Sequence, residues 1–285
     1  MRVISISIIL LLTCIAGYAQ EKTEVSLFLK KDKNHNLDRV ESESGNMFSK
    51  VGHHGPAIEN QWYALRIYFN KTSAIDLYSK ARPGLELKQA KWYPTKTQQR
   101  NGWGADYYKV GKTLGLGGIG LWDGSKVVLL KPVSLRTAKV KKDGNESSME
   151  MLSAGVVIQN QKVNVLLRVT VFGDSRKARV EAISADKPVQ FVTGINYYKK
   201  LKIIKSDNYL ATWGIHPEDV AAEKVEVGAA LMFNKDDFAD RMDDGKQFLL
   251  ISKPLTYLTT WITSAITREP DINTFDKLIN TLNQK

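Results

Sequence analysis

The chain has 285 residues, one cysteine and a formal net charge of +11. Its field attracts anions but says nothing about fold. The lysines and arginines are scattered without a recognition-helix pattern, so nucleic acid is not expected as a partner.

Residues 1–19 read as a secretory leader. Arg2 supplies the positive start, the apolar run from Val3 to Ile15 is too short for a stable membrane anchor, and Gly17-Tyr18-Ala19 offers small residues for cleavage before Gln20. The expected address is the periplasm or the cell surface. Cys14 leaves with this run, and with it go disulfides, zinc ribbons and a cysteine nucleophile. The rival reading makes Cys14 a lipoprotein attachment site, but the Leu-Leu-Thr ahead of it lacks the usual small residue. No later segment is apolar enough to be a membrane span.

Behind the leader, stretches rich in Val, Ile, Tyr, Phe and Thr recur at 25–29, 64–69, 126–130, 155–158, 163–172, 178–183, 189–197, 224–233, 247–251 and 257–262. Side chains on a strand alternate with period two, so Leu65, Ile67 and Phe69 share one face while Arg66 and Tyr68 share the other. Helical period is convincing only at the C-terminus, where Asp271 is placed to cap a stripe of Ile272, Phe275, Leu278, Ile279 and Leu282. So little helix excludes a βαβ architecture. The expectation is one mainly β domain over residues 20–285, a large antiparallel β-sandwich with a short C-terminal helix. Two irregular stretches, 30–60 and 78–124, interrupt the strands, and loops of that length are more often functional than idle.

Gly115-Leu-Gly117-Gly-Ile-Gly120 matches the dinucleotide fingerprint in letters only, because Leu121-Trp122-Asp123-Gly124 follows where a helix should begin. The segment Gly52-His53-His54-Gly55-Pro56 is more informative, since paired histidines between glycines and a proline serve neither a regular strand nor a helix. An imidazole there suits general acid or base work, with turn capping as the bland alternative. A metal held by His53, His54, Glu59 and His216 would lack any known zinc spacing. No cofactor is called for, and calcium is left open.

Arg66, on the polar face of its strand, suits a carboxylate or sulfate through its planar fork, or else an ion pair with Asp76 or Glu86. Trp92-Tyr93, Trp103, Tyr107-Tyr108 and Trp122 crowd the glycine-rich region, and Trp213 precedes His216. Flat rings suit sugar faces, with Asn60 and Asp106 nearby to hydrogen-bond hydroxyls, although each single tryptophan is more often core.

The run His53-His54-Gly-Pro-x-x-Glu59-Asn60, then Arg66-Ile-Tyr68, Asp76-Leu-Tyr78 and Gly102-x-Gly104-x-Asp106, resembles a family of exported bacterial proteins catalogued as a domain of unknown function. Its members accompany polysaccharide-degrading enzymes, including loci for ulvan. The resemblance implies a supersandwich related to galactose-mutarotase and polysaccharide-lyase folds, and a role in removing water from uronate-bearing oligosaccharides.

The leading expectation is therefore a lyase or dehydratase working by β-elimination on uronate-containing, ulvan-like oligosaccharides. Such chemistry neutralises a carboxylate, removes the proton beside it and protonates a leaving oxygen. Arg66 with Asn60 is assigned to the carboxylate, His53 or His54 to the base, and Tyr107 or Tyr198 to the acid. Glu59, Trp103, Asp106, Trp213 and His216 complete the expected binding set. A mutarotase-type epimerase using Glu59 or Glu218, and a non-catalytic glycan-binding protein, are the alternatives.

Overall fold

The computed structural model describes residues 21–131, 134–217 and 221–283. The leader, Cys14 and the Glu218-Asp219 pair lie outside the described residues. Strands follow one another as β1 (Glu24–Ser26), β2 (Arg39–Ser42), β3 (Ala57–Glu59), β4 (Tyr63–Ile67), β5 (Ile75–Ser79), β6 (Gly120–Trp122), β7 (Val127–Val128), β8 (Leu135–Asp143) and β9 (Glu146–Ile158). Then come β10 (Gln161–Phe172), β11 (Ser175–Ser184), β12 (Val189–Asn196), β13 (Lys202–Lys205), β14 (Tyr209–Gly214), β15 (Val227–Met232), β16 (Phe238–Asp243), β17 (Gln247–Leu255) and β18 (Tyr257–Ile266). Helices α1 (Leu87–Ala90) and α2 (Lys96–Arg100) lie between β5 and β6, and α3 (Phe275–Asn283) follows β18.

The strands form three antiparallel sheets, as the composition and period predicted. A nine-stranded sheet in the order β13-β14-β15-β18-β11-β10-β9-β8-β2 carries two smaller ones, β1-β3-β4-β5 and β16-β17-β12-β6-β7. Period two explains the layering. Along β10, Val163, Val165, Leu167, Val169 and Val171 are buried while Arg168 points the other way. Strands β3 and β4 pack on β9, and β12 packs on β14 and β15, so one core unites all three sheets. Each fully buried Leu, Ile or Val in it contributes about 1.5–3 kcal/mol.

On the other face of the large sheet, α3 lays Phe275 and Leu278 over Tyr209, Ala211, Trp213 and Ala230. Its apolar stripe is the one read from sequence, but its cap is Thr274, whose hydroxyl accepts from the Lys277 amide at 3.3 Å. Asp271 stands in the turn before it.

The long stretch after β5 does not hang free. Glu59 and Lys80, both fully buried, form an ion pair that fastens it to the four-stranded sheet. The remaining Lys80 protons go to the carbonyls of Asn60 and Gly84 at 2.7 Å each. The Glu59 carboxylate also accepts from the amides of Glu86 and Leu87 at the start of α1, both at 2.9 Å. Every donor and acceptor of this pair is satisfied, which is the condition under which buried charges are tolerated. Lys80→Met should lower the unfolding free energy by about 3–5 kcal/mol in chemical denaturation, because it strands a buried carboxylate. Adding Glu59→Gln to it should recover part of that loss, and an unaffected single variant would show the pair to lie outside the cooperative core.

Candidate functional site

The paired histidines sit on a turn that only tight packing permits. His53 (φ 53°) and His54 (φ 64°) both occupy the left-handed region, which costs a residue with a side chain of order 1–3 kcal/mol. Glycines flank them because no side chain fits: a Cβ on Gly52 would lie 2.2 Å from the Phe28 ring, and one on Gly55 only 1.8 Å from the Ile67 carbonyl. The strained turn is held by its imidazoles. His53 Nε2 meets the Ser26 hydroxyl at 2.8 Å, and His54 Nδ1 meets the Phe48 carbonyl at 2.7 Å.

The two rings consequently differ. His53 points inward, edge-on to Phe28, and burial, reinforced by the Arg66 charge, pushes its pKa down to about 3. His54 is half-buried and stacks on Phe48 at 4.0 Å. Burial lowers its pKa too, against the pull of the Phe48 carbonyl. A carbonyl only accepts, so His54 Nδ1 must carry the proton and Nε2 is left with a lone pair. His54 is thus a neutral base with its lone pair on Nε2.

Arg66 is the centre of a buried rosette. It lies directly opposite Asp76 on β5, and its Nε donates to Asp76 Oδ2 at 2.8 Å, with a second donor to the same oxygen. That second nitrogen also reaches Asp106 Oδ2 at 3.1 Å, and the remaining one donates to the Tyr93 hydroxyl at 2.9 Å. Tyr68 donates to Asp76 at 2.8 Å, and Trp92 lies 4.3 Å under the guanidinium while its indole N–H reaches Asp106 at 3.4 Å. Burial opposes the guanidinium's charge, but Asp76 and Asp106 outweigh it and raise its pKa. The partner that sequence allowed, Asp76, is therefore the one that engages Arg66. The fork expected for a ligand carboxylate faces two carboxylates of the protein instead.

Asp106 connects this rosette to open space. It lines a cavity of about 180 Å³ together with Tyr107, His216, Glu223 and Lys224. His216 also lines a second cavity, about 730 Å³, with Tyr198, Lys199, Lys200, Lys202 and Trp213. The His216 ring lies against Tyr108 (4.7 Å) and Tyr198 (5.0 Å). Its Nδ1 accepts from the Lys109 amide at 3.2 Å, so Nε2 carries the proton, and among the described residues that buried N–H has no partner. Burial takes its pKa to about 3. Tyr198 donates to the Lys109 carbonyl at 3.0 Å, and burial raises the Tyr107 hydroxyl against the pull of Arg268.

Of the expected residues, His53, His54 and Arg66 gather at the rosette, Tyr107, Tyr198, Trp213 and His216 gather at the cavities, and Asp106 belongs to both. Trp213 is buried under α3 and donates to Glu226 at 2.9 Å. Glu59 and Asn60 serve the backbone: the Asn60 carbonyl oxygen accepts from the amides of Trp62 and Tyr63 at 3.0 and 3.1 Å, and its amide donates to the Ser175 carbonyl. Trp103 lies apart, under Arg82 at 6.0 Å. Tyr108 was read only as one of the clustered rings, and Lys109 and the lysine run after Tyr198 went unread, although Lys199-Lys200 was visible beside Tyr197-Tyr198. Among the described residues no group of three or more His, Asp or Glu is gathered to hold a metal ion, and no helix is long and apolar enough to cross a membrane.

Residues 14–285 match the family described as "Domain of unknown function (DUF4861)", and the chain belongs to it. No curated protein matches the chain. Two solved structures are distantly similar. The 4-alpha-glucanotransferase from Thermococcus litoralis is 9% identical with a TM-score of 0.36, the match covering 73% of this chain and 37% of that one. A putative aldose 1-epimerase from Klebsiella pneumoniae subsp. pneumoniae MGH 78578 is 9% identical with a TM-score of 0.32, covering 86% of this chain and 91% of that one. This chain thus spans little more than a third of the glucanotransferase.

His53 and His216 make stability depend on pH. Their folded pKa lies near 3 and their ordinary value is 6.5, so between those values the unfolded chain binds protons that the folded chain does not. Their contribution is complete above pH 6.5 and is lost as pH falls through that window, by up to about 1.4 kcal/mol per unit for each ring. Melting temperature should therefore drop from about pH 7 to about pH 5, and His53→Asn should flatten the slope; a slope unchanged by the substitution would clear His53 of this role.

Proposed function

We propose that this protein acts on uronate-bearing oligosaccharides by β-elimination, as a lyase or dehydratase working outside the cytoplasm. The observation that carries the reading is the hydrogen-bonded run from Tyr93, whose ring lies 6.4 Å from that of His54, through Arg66 to Asp106, which lines the smaller cavity with His216. Elimination beside a carboxylate needs a base, an acid for the leaving oxygen and a positive surround for the substrate's charge. His54 Nε2 is the base, since it bears the ring's lone pair and the neutral form prevails at neutral pH. Tyr198 or Tyr107 is the acid, and Lys199, Lys200 and Lys202 at the rim supply the positive field.

A non-catalytic glycan-binding role is the second reading, favoured by the enclosure of His53 and by the internal pairing of Arg66. An epimerase resting on Glu59 is weaker, because that carboxylate is fully buried against Lys80.

The test is to incubate the full chain with a panel of uronate oligosaccharides and read product masses and the ultraviolet absorbance of an unsaturated uronate. Loss of one water, or chain cleavage with a new conjugated double bond, is expected. His54→Ala should reduce turnover by about 10²–10⁴-fold while binding survives. The acidic limb of the rate profile should fall below pH 6.5, because a base works deprotonated and His54 is lowered from that value. Unchanged masses across the panel would leave the glycan-binding reading.

A further inference from the structure

We infer that His216 is an uncharged donor that recognises the carboxylate of an acidic sugar in the larger cavity, an inference that rests on the acidic-saccharide reading of this site. A buried N–H without an acceptor costs about 1–3 kcal/mol, so a ring fixed with its donor unmatched points to an acceptor that arrives from elsewhere. The His216 donor is fixed in this way. The Lys109 amide occupies Nδ1, Tyr108 and Tyr198 hold the ring on two sides, and Nε2–H, buried in a residue that lines both cavities, has no acceptor among the described residues.

The surroundings select an anion. Among the described residues, Lys199, Lys200, Lys202 and Lys224 line the larger cavity against one carboxylate, Glu226, which already accepts from Trp213. Tyr198 and the apolar flank of Trp213, Gly214 and Ile215 leave room for a pyranose beside the charge. Among the described residues, the titratable groups beside His216 are Asp106, Tyr107, Tyr108, Tyr198, Glu223 and Lys224, with Lys199, Lys200, Lys202 and Glu226 across the larger cavity. Because the ring is neutral through the physiological range, its hydrogen bond does not depend on imidazolium charge.

The neutral form also separates His216 from His54. His54 presents a lone pair, whereas His216 presents a hydrogen. Placed on one substrate, the first can remove a proton and the second can stabilise the carboxylate as negative charge moves onto it.

The experiment measures binding of glucuronate, glucose and glucose 6-sulfate to the full chain by calorimetry, alongside nitrogen NMR of the imidazoles. Glucuronate should bind roughly tenfold or more tighter than glucose, as a hydrogen bond to a charged group implies, with little change between about pH 5 and about pH 8. The His216 Nε2–H resonance should shift on titration with glucuronate. His216→Phe should erase the preference and His216→Gln, which keeps an N–H donor, should retain part of it. Equal affinity for glucuronate and glucose, a still resonance, or binding that collapses as pH rises through 6.5 would overturn the inference, and preference for the sulfate ester would reassign the anion and overturn it as well. If the preference holds while product masses never change, the elimination reading fails and the subsite stands.

Discussion

Arg66 is a charge buried in the middle of a β-protein, and that single fact constrains much of what surrounds it. A guanidinium withdrawn from water must be matched in charge and in hydrogen bonds, or the fold loses several kcal/mol. The match comes from three segments distant in sequence: Asp76 on the neighbouring strand, the Trp92-Tyr93 pair after α1, and Asp106 beyond α2. Satisfying one arginine therefore folds the long stretch after β5 back over the small sheet. The lid so formed delivers Asp106 and Tyr107 to the cavity wall and leaves the next residues, Tyr108 and Lys109, to fix His216.

The three described histidines of this region show how position decides chemistry for one residue type. In His54 and His216, the partner of one ring nitrogen dictates the state of the other. A carbonyl at Nδ1 makes His54 a lone-pair bearer, and an amide at the same atom makes His216 a donor. His53, held by a hydroxyl that can play either part and enclosed by Phe28 and Trp92, contributes to the turn's geometry. Its neighbour can hold a left-handed conformation because this anchoring meets the strain.

Much of this was legible in the chain. Period two in residues 163–172 and 64–69 announced buried sheet, and the glycines around His53-His54 announced a bent backbone. The phase of β4 was read correctly, with Leu65 and Ile67 in the core and Arg66 opposite. What the phase could not tell is that the opposite face is roofed. Burial of Arg66 depends on residues 76–106 returning over it, and no local period encodes a return of that length. Strands 75–79, 135–143 and 209–214 went unread for related reasons. Ile75-Asp-Leu-Tyr-Ser is short and carries the rosette's acid, the lysines of 139–142 mask alternation, and 209–214 is apolar on both faces because α3 covers the second. Glu59 and Asn60 looked like ligand groups because polar residues beside a histidine turn look alike whether they meet sugar or backbone.

Charge separation within the site follows from the same geometry. Around Arg66 two carboxylates face one guanidinium, so the floor of the rosette repels anions, while the lysines after Tyr198 stand at the far rim of the cavities. An anionic ligand of the kind proposed would meet opposite fields on the two sides of this surface, which favours one orientation over its reverse. Under the acidic-saccharide proposal, the ligand's carboxylate would turn toward the lysines and the His216 hydrogen and away from Asp106. The net positive charge of the chain brings such a ligand near without directing it. The buried rosette supplies direction, because a carboxylate pair fixed by a single arginine keeps its excess negative charge in one place.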